Sequence, residues 1–217
     1  MKMEFELLIS GNPRRAIYHP CGKDVDECRE IFGNLTKQHT DFVYVPVCAE
    51  DWNSQLSPWK APPAFGREGF AGKGTDTLRW LTEECMPAVR EKCPGVEQHL
   101  IGGYSLAGLF SLWAYYETGM FQGAASCSGS LWYPGWEEYV SGRHGPKGSR
   151  IYLSLGDREE HTRNQQMQKV GERTRWQHRL LVEDPQVRET TLVWNPGGHF
   201  QQPTERLING FDWLLEE

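Results

Sequence analysis

The chain has 217 residues, enough for one domain with a sizeable core and short for two. Hydrophobic residues make up 38% and charged residues 24%, and the formal net charge of −6 gives no electrostatic basis for binding nucleic acid or an anionic membrane surface. No stretch approaches the roughly 18 apolar residues of a membrane span.

Near the N-terminus, Glu4 and Glu6 interrupt the apolar residues, unlike a signal peptide. The cysteines are Cys21, Cys28, Cys48, Cys85, Cys93 and Cys127, and none forms a Cys-x-x-Cys pair. With no export signal they are expected as reduced thiols in a cytoplasmic protein.

In chain order, short apolar runs predict strands over residues 5–9, 15–19 and 42–48. A long loop follows over 49–74, carrying Trp52, Trp59 and several Pro and Gly. Leu78, Leu81, Cys85 and Val89 make one face of a helix over 77–91, which Pro87 should kink. A strand over 98–102 leads into a helix over 106–117, where Leu106, Leu109, Phe110 and Trp113 form a stripe and Gly119 suits a C-cap.

A strand over 123–127 precedes a second long loop, 128–149, with Trp132, Tyr133, Pro134 and Trp136. Then come a strand over 150–155, a polar helix over 164–181, a strand over 190–194, and a helix over 204–215 with Leu207, Phe211 and Leu214 aligned. Strands alternating with helices predict an α/β protein with a mostly parallel sheet, as one domain over 1–217.

The chemistry-bearing segment is Gly102-Gly-Tyr-Ser-Leu-Ala-Gly-Leu-Phe110. Gly103, Ser105 and Ala107 make a G-x-S-x-A form of the nucleophile elbow, in which a strand turns sharply into a helix and exposes the Ser hydroxyl. Residues two before and two after the Ser must be small for the turn to pack. Such a hydroxyl needs an adjacent base.

In the chain order Ser, acid, His, the base should lie in the loop before the last helix. Asn195-Pro-Gly-Gly-His-Phe200 is that loop and His199 that residue. The acid should follow the strand over 150–155, where Asp157, Glu159 and Glu160 all compete. One oxyanion donor should be the N–H of Leu106, directly after the nucleophile. The other should come from the end of the strand over 15–19. Pro20 has no N–H, so Cys21 is the first choice and Gly22 the second.

Other readings fail. The Gly-rich run 66–74 resembles a phosphate loop, but its first Gly is one residue out of register and Lys73 is followed by Gly74 rather than Ser or Thr. The seven His show no zincin spacing, so no metal is expected, and the Gly103/Gly108 pair is not a dinucleotide fingerprint. No cofactor is expected.

These residues resemble the putative esterase family of the α/β-hydrolases, which includes esterase D-like, feruloyl esterase-like and siderophore esterase-like enzymes. The resemblance rests on the elbow segment, on Leu155-Gly-Asp-Arg-Glu159, on Asn195-Pro-Gly-Gly-His-Phe200, and on the Pro-containing helix Leu81-Thr-Glu-Glu-Cys-Met-Pro-Ala-Val89. It runs roughly from Arg15 to Leu215.

The resemblance implies an α/β-hydrolase fold with helices on both sheet faces, and hydrolysis of small-molecule carboxylic esters by a Ser–acid–His triad. In such proteins the acid stands three residues after the Gly that ends the strand, which is Glu159 here. The family's His-Gly after the oxyanion strand reads His19-Pro20 in this chain. No separate cap domain fits, so the two long loops must roof the substrate. Both leave the carboxyl ends of strands, where open α/β sheets bind ligands, and Trp52 and Trp132, nearest those ends, are expected to flank the pocket. A thioesterase, peptidase or acyltransferase would use the same triad, and a non-catalytic binding module is the alternative from another class.

Overall fold

A computed structural model of the protein describes residues 3–64 and 66–216. Its centre is a sheet built from β1 (Glu4–Phe5), β2 (Leu8–Gly11), β3 (Arg15–Cys21), β4 (Asp41–Cys48), β7 (Gln98–Tyr104), β8 (Gly123–Cys127), β9 (Ser149–Gly156) and β10 (Val187–Asn195). The spatial order is β1-β4-β3-β7-β8-β9-β10, with β2 also on β4. All pairings from β4 to β10 are parallel, and only β1 and β2 run antiparallel.

Alternation along the strands builds two cores. Ala16, Tyr18, Val43, Val45, Ile101, Ile151 and Leu153 face one side. There they meet α3 (Gly74–Trp80), α4 (Met86–Lys92), α5 (Leu106–Thr118) and α7 (Val170–Glu183). Ile17, Phe42, Tyr44, Leu100, Ala125 and Tyr152 face the other, under α1 (Val25–Leu35) and α8 (Pro203–Leu215). This is the α/β-hydrolase arrangement expected of the sequence. Among the described residues no helix is long and apolar enough to cross a membrane.

Three departures have local causes. The strand expected over 5–9 is two pieces in one register, Phe5 opposite Val47 and Leu8 opposite Tyr44. The gap falls opposite Pro46, which has no N–H to give the ladder. The Pro87 helix does not simply kink. A π-turn, Leu81–Cys85, joins α3 to α4, and it contains Glu83, whose carbonyl the Pro87 ring would otherwise strike. Helix α5 is buried all round from Leu106 to Tyr115 rather than along one stripe, because the second long loop covers its outer face. Its end is as expected, with Gly119 left-handed at φ 60°.

The long loops hold structure of their own. The first contains α2 (Trp52–Gln55) and a hairpin of β5 (Lys60–Ala61) and β6 (Phe70–Ala71), and the second contains α6 (Trp136–Val140). They are joined to each other: Trp59 Nε1 donates to Pro134 O at 2.8 Å, and Tyr133 Oη donates to Trp59 O at 2.6 Å. Phe70 packs edge-on against Tyr133.

Candidate active site

Strand β7 ends at Tyr104 and α5 begins at Leu106, so the whole turn is Ser105, held at φ 58° and ψ −121°. A non-glycine residue in that region costs on the order of 1–3 kcal/mol and persists only where its surroundings fix it. Here the Ser105 N–H donates to Cys127 O at 3.0 Å, and its carbonyl accepts from Ser130 N and Leu109 N at 3.0 and 3.1 Å. The small residues are steric requirements: a Cβ on Gly103 would lie 2.6 Å from the Cβ of Ala107.

His199 reaches Ser105 from the loop after β10. Its Nε2 lies 3.0 Å from Ser105 Oγ, and its Nδ1 lies 2.7 Å from Glu159 Oε2. The three carboxylates that compete in the sequence have separate partners. Glu159 meets the imidazole. Asp157 accepts the Gly197 N–H at 2.8 Å and braces the histidine loop. Glu160 pairs with Arg175 at 2.7 Å. Gly197, at φ 96°, supplies the left-handed turn that brings His199 back over the elbow.

Glu159 is nearly buried and its second oxygen is crowded with donors. Oε1 accepts from Ser128 Oγ at 2.7 Å, from Gly156 N–H at 2.7 Å and from Arg206 Nη1 at 2.8 Å. Burial pushes the carboxyl pKa up, but the bond and charge of His199, with the bonds from Ser128 and Gly156, outweigh it and hold Glu159 below the usual range.

Arg206 was not among the residues singled out from sequence, yet it ties the site together. It lies on α8 and is 1% exposed. Beyond Glu159, it donates to Ser128 Oγ, Tyr104 Oη, Pro196 O and Gly198 O. Tyr104 in turn donates to His199 O at 2.6 Å. The available signal was an arginine one turn before Gly210 on the buried face of an amphipathic helix.

Leu106 opens α5, so its N–H lies outside the helix ladder, beside the Ser105 hydroxyl. Cys21 does not meet its expectation. Its carbonyl accepts from Ala49 N at 2.9 Å, and it pairs with Cys48 in the β3–β4 ladder. In a strand the N–H and C=O of one residue point the same way, so the Cys21 N–H is turned toward β4. Gly22, the second choice, lies one residue past the end of β3, and the pairing of β3 with β7 stops at Tyr18. The same parity explains why Pro20 is tolerated: its missing N–H falls where that ladder has already ended.

A cavity of about 210 Å³ adjoins His199, lined by Trp132, Met167, Val170, Thr162, Arg158 and Phe200 among others. Trp132, one of the two tryptophans expected to flank the substrate, is among these lining residues. Trp52 is not among the lining residues and instead packs, half-buried, against the core beneath α3 to α5. The missed wall is the segment after β9, which contributes Thr162, Met167 and Val170. Its polar sequence gave no pocket signal. Phe200 is 92% exposed, with its ring edge-on to His199.

With this geometry in view, the family model described as Putative esterase matches residues 9–201. No curated protein sequence matches the chain significantly. Among solved structures, the chain is similar to the siderophore hydrolase EstA from Aspergillus nidulans, at 18% identity and a TM-score of 0.73, covering 98% of this chain and 94% of that one. It is also similar to an IroE-like serine hydrolase from Shewanella oneidensis, at 14% identity and a TM-score of 0.81, covering 98% and 75%. A Bacillus cereus carboxylesterase matches at 11% identity and a TM-score of 0.61, covering 98% and 94%. At such identities these likenesses speak to the fold.

Proposed function

The chain belongs to the putative esterase family, carboxylic ester hydrolases of the α/β-hydrolase fold, and from that premise we propose that Ser105, His199 and Glu159 are its catalytic triad. The observation that carries the reading is the unbroken relay from Glu159 Oε2 through both imidazole nitrogens to Ser105 Oγ.

Ser105 Oγ attacks the ester carbonyl carbon while His199 Nε2 takes its proton. Glu159 keeps the ring in the tautomer that leaves Nε2 free to accept, and stabilises the imidazolium as it forms. The N–H groups of Leu106 and Gly22 hold the oxyanion. Collapse expels the alcohol, which receives the proton from His199. Water activated by the same imidazole then releases the acid and restores Ser105.

The cavity beside His199 takes the acyl group. Its size of about 210 Å³ and its Trp132, Met167 and Val170 surface fit a compact apolar or aromatic acid. Two of the similar folds carry the names siderophore hydrolase and carboxylesterase, so both kinds of ester belong in the test.

The experiment is labelling with a fluorophosphonate probe and peptide mapping, alongside turnover of p-nitrophenyl esters of graded acyl length, feruloyl esters and siderophore esters. The adduct is expected on Ser105. A folded Ser105→Ala protein should lose at least about 10³-fold in rate. Turnover retained in that variant, or a label on another residue, would overturn the assignment.

A further inference from the structure

On the sheet face away from α5, the end of β3 carries a set of side chains that the ester chemistry does not use. His19 and Cys21 are two residues apart on one strand, so both point to that face. Helix α1 covers it and inserts Cys28 from its first turns. One ring nitrogen of His19 and the sulfurs of Cys21 and Cys28 all lie within 4.8 Å of one another. All three residues are at most 4% exposed. Cys48, opposite Cys21 in the β3–β4 ladder, packs against the same core and is half-buried.

We propose that His19, Cys21 and Cys28 form a binding site for a thiophilic divalent cation, zinc being the natural occupant, with Cys48 or a water as the fourth ligand. Four observations point there. The two sulfurs are 3.8 Å apart, close to the roughly 3.8 Å edge of a tetrahedron with Zn–S bonds of about 2.3 Å. The ligand set, imidazole with thiolates, is the one such an ion selects. The His19 ring is already fixed in orientation, with Nδ1 2.6 Å from Tyr44 Oη, as outer partners fix metal-bound histidines. Finally, the cluster is reachable. A pocket of about 180 Å³ is lined by Cys28 and Cys48, with the carboxylate residues Glu4, Glu6 and Asp24 around it, which favour entry of a cation.

The site would clamp the end of β3 to α1. Gly22 lies one residue beyond Cys21, so a bound ion would stiffen the backbone that carries the second oxyanion donor. The role is structural and leaves the ester chemistry metal-free. Its test is correspondingly independent of esterase turnover.

The full-length protein, reduced and stripped with a chelator, is titrated with Co²⁺ as a spectroscopic probe and then with Zn²⁺ in competition with a chromophoric chelator. The expected result is one Co²⁺ per chain, with a thiolate-to-metal charge-transfer band and tetrahedral d–d bands that Zn²⁺ abolishes. Zinc should raise Tm and protect Cys21 and Cys28 from iodoacetamide in the unmutated protein, as read by peptide mapping. Cys28→Ser, checked for folding by circular dichroism, should weaken zinc binding by more than the roughly 10–100-fold that loss of an outer partner costs. Cys93→Ser, which removes a thiol outside the cluster, should bind normally. An octahedral cobalt spectrum without the thiolate band would overturn the proposal. So would zinc binding that survives in Cys28→Ser, or alkylation of Cys21 and Cys28 that zinc does not slow.

Discussion

Arg206 and Glu159 form a buried ion pair, Nη1 to Oε1 at 2.8 Å with side chains 1% and 3% exposed, on the opposite side of the carboxylate from His199. The acid of the proposed triad is thus held from both sides. Arg206 also spans to the carbonyls of Pro196 and Gly198, so the same guanidinium aligns the carboxylate and the loop that carries His199. Only a planar fork with several fixed donors can make both sets of bonds at once.

Replacing Arg206 should therefore act on stability and rate separately. Arg206→Met removes the cation paired with the buried Glu159 carboxylate and is expected to cost about 3–5 kcal/mol. Arg206→Lys keeps the charge but cannot reach Glu159 and both carbonyls together. It should fold and bind ester with nearly unchanged KM while kcat falls. Urea denaturation and steady-state kinetics on the two variants check this; a Lys variant that loses only stability would reduce Arg206 to a packing residue.

The carboxylates in the stretch after β9 should separate in kinetics as they do in space. Glu159→Gln loses the partner of His199 Nδ1, so the wrong tautomer is favoured and kcat should drop by orders of magnitude with little change in KM. Asp157→Asn keeps an oxygen for the Gly197 N–H and should cost far less. If Asp157→Asn proved the more damaging, the histidine in solution would be oriented from the other carboxylate.

The parts of this site legible in the sequence were those whose chemistry forces residue type and order. Ser105 needs Gly103 and Ala107 around it, and His199 needs a glycine turn after the last strand. From the residues alone the acid stayed open among Asp157, Glu159 and Glu160, and only the family offset favoured Glu159. The structure sets that carboxylate against the imidazole. What was not legible depends on parity and on contacts between distant segments. Which way the Cys21 N–H points is a matter of one residue in strand alternation, which no composition signal encodes. The break opposite Pro46 required knowing that the 5–9 segment pairs with β4. Arg206 lies 47 residues from Glu159, and its charge reads in sequence as solvent-facing.

A pH effect on stability should come from His99. It is buried, hydrogen-bonded to Tyr18 Oη at 3.0 Å, and lies beside Arg90. Burial first, and then the Arg90 charge, push its pKa down from the ordinary value to about 4. The unfolded chain thus binds a proton at this histidine before the folded one does. The contribution is complete above the unfolded value, roughly 6.5, and is lost as pH falls from there to about 4. The loss should amount to at most about 3 kcal/mol. Urea midpoints measured from pH 7 to pH 4 should fall less steeply for His99→Gln than for the unmutated protein, whatever its stability at pH 7. Parallel slopes would mean that His99 protonates without cost in the folded state.

The last expectation concerns substrate size. Trp132 is 9% exposed, stands at the carboxyl end of the sheet and lines the cavity beside His199. Its ring also contacts Phe70 and Tyr133, so it joins the pocket to the aromatic seam that unites the two long loops. Trp132→Ala removes one wall and should enlarge the acyl site without touching Ser105 or His199. The gain of space favours longer acyl chains, while short ones lose contact and bind less well. The ratio of kcat/KM for a long acyl ester over a short one should rise by roughly 10-fold or more, since each added methylene in an apolar pocket is worth on the order of 1–3 kcal/mol. Trp52→Ala is the internal control. Trp52 packs against the core and not the cavity, so it should lower stability and leave that ratio unchanged. Equal losses across all chain lengths in Trp132→Ala would place the acyl group elsewhere, and a shifted ratio in Trp52→Ala would extend the pocket to the first loop.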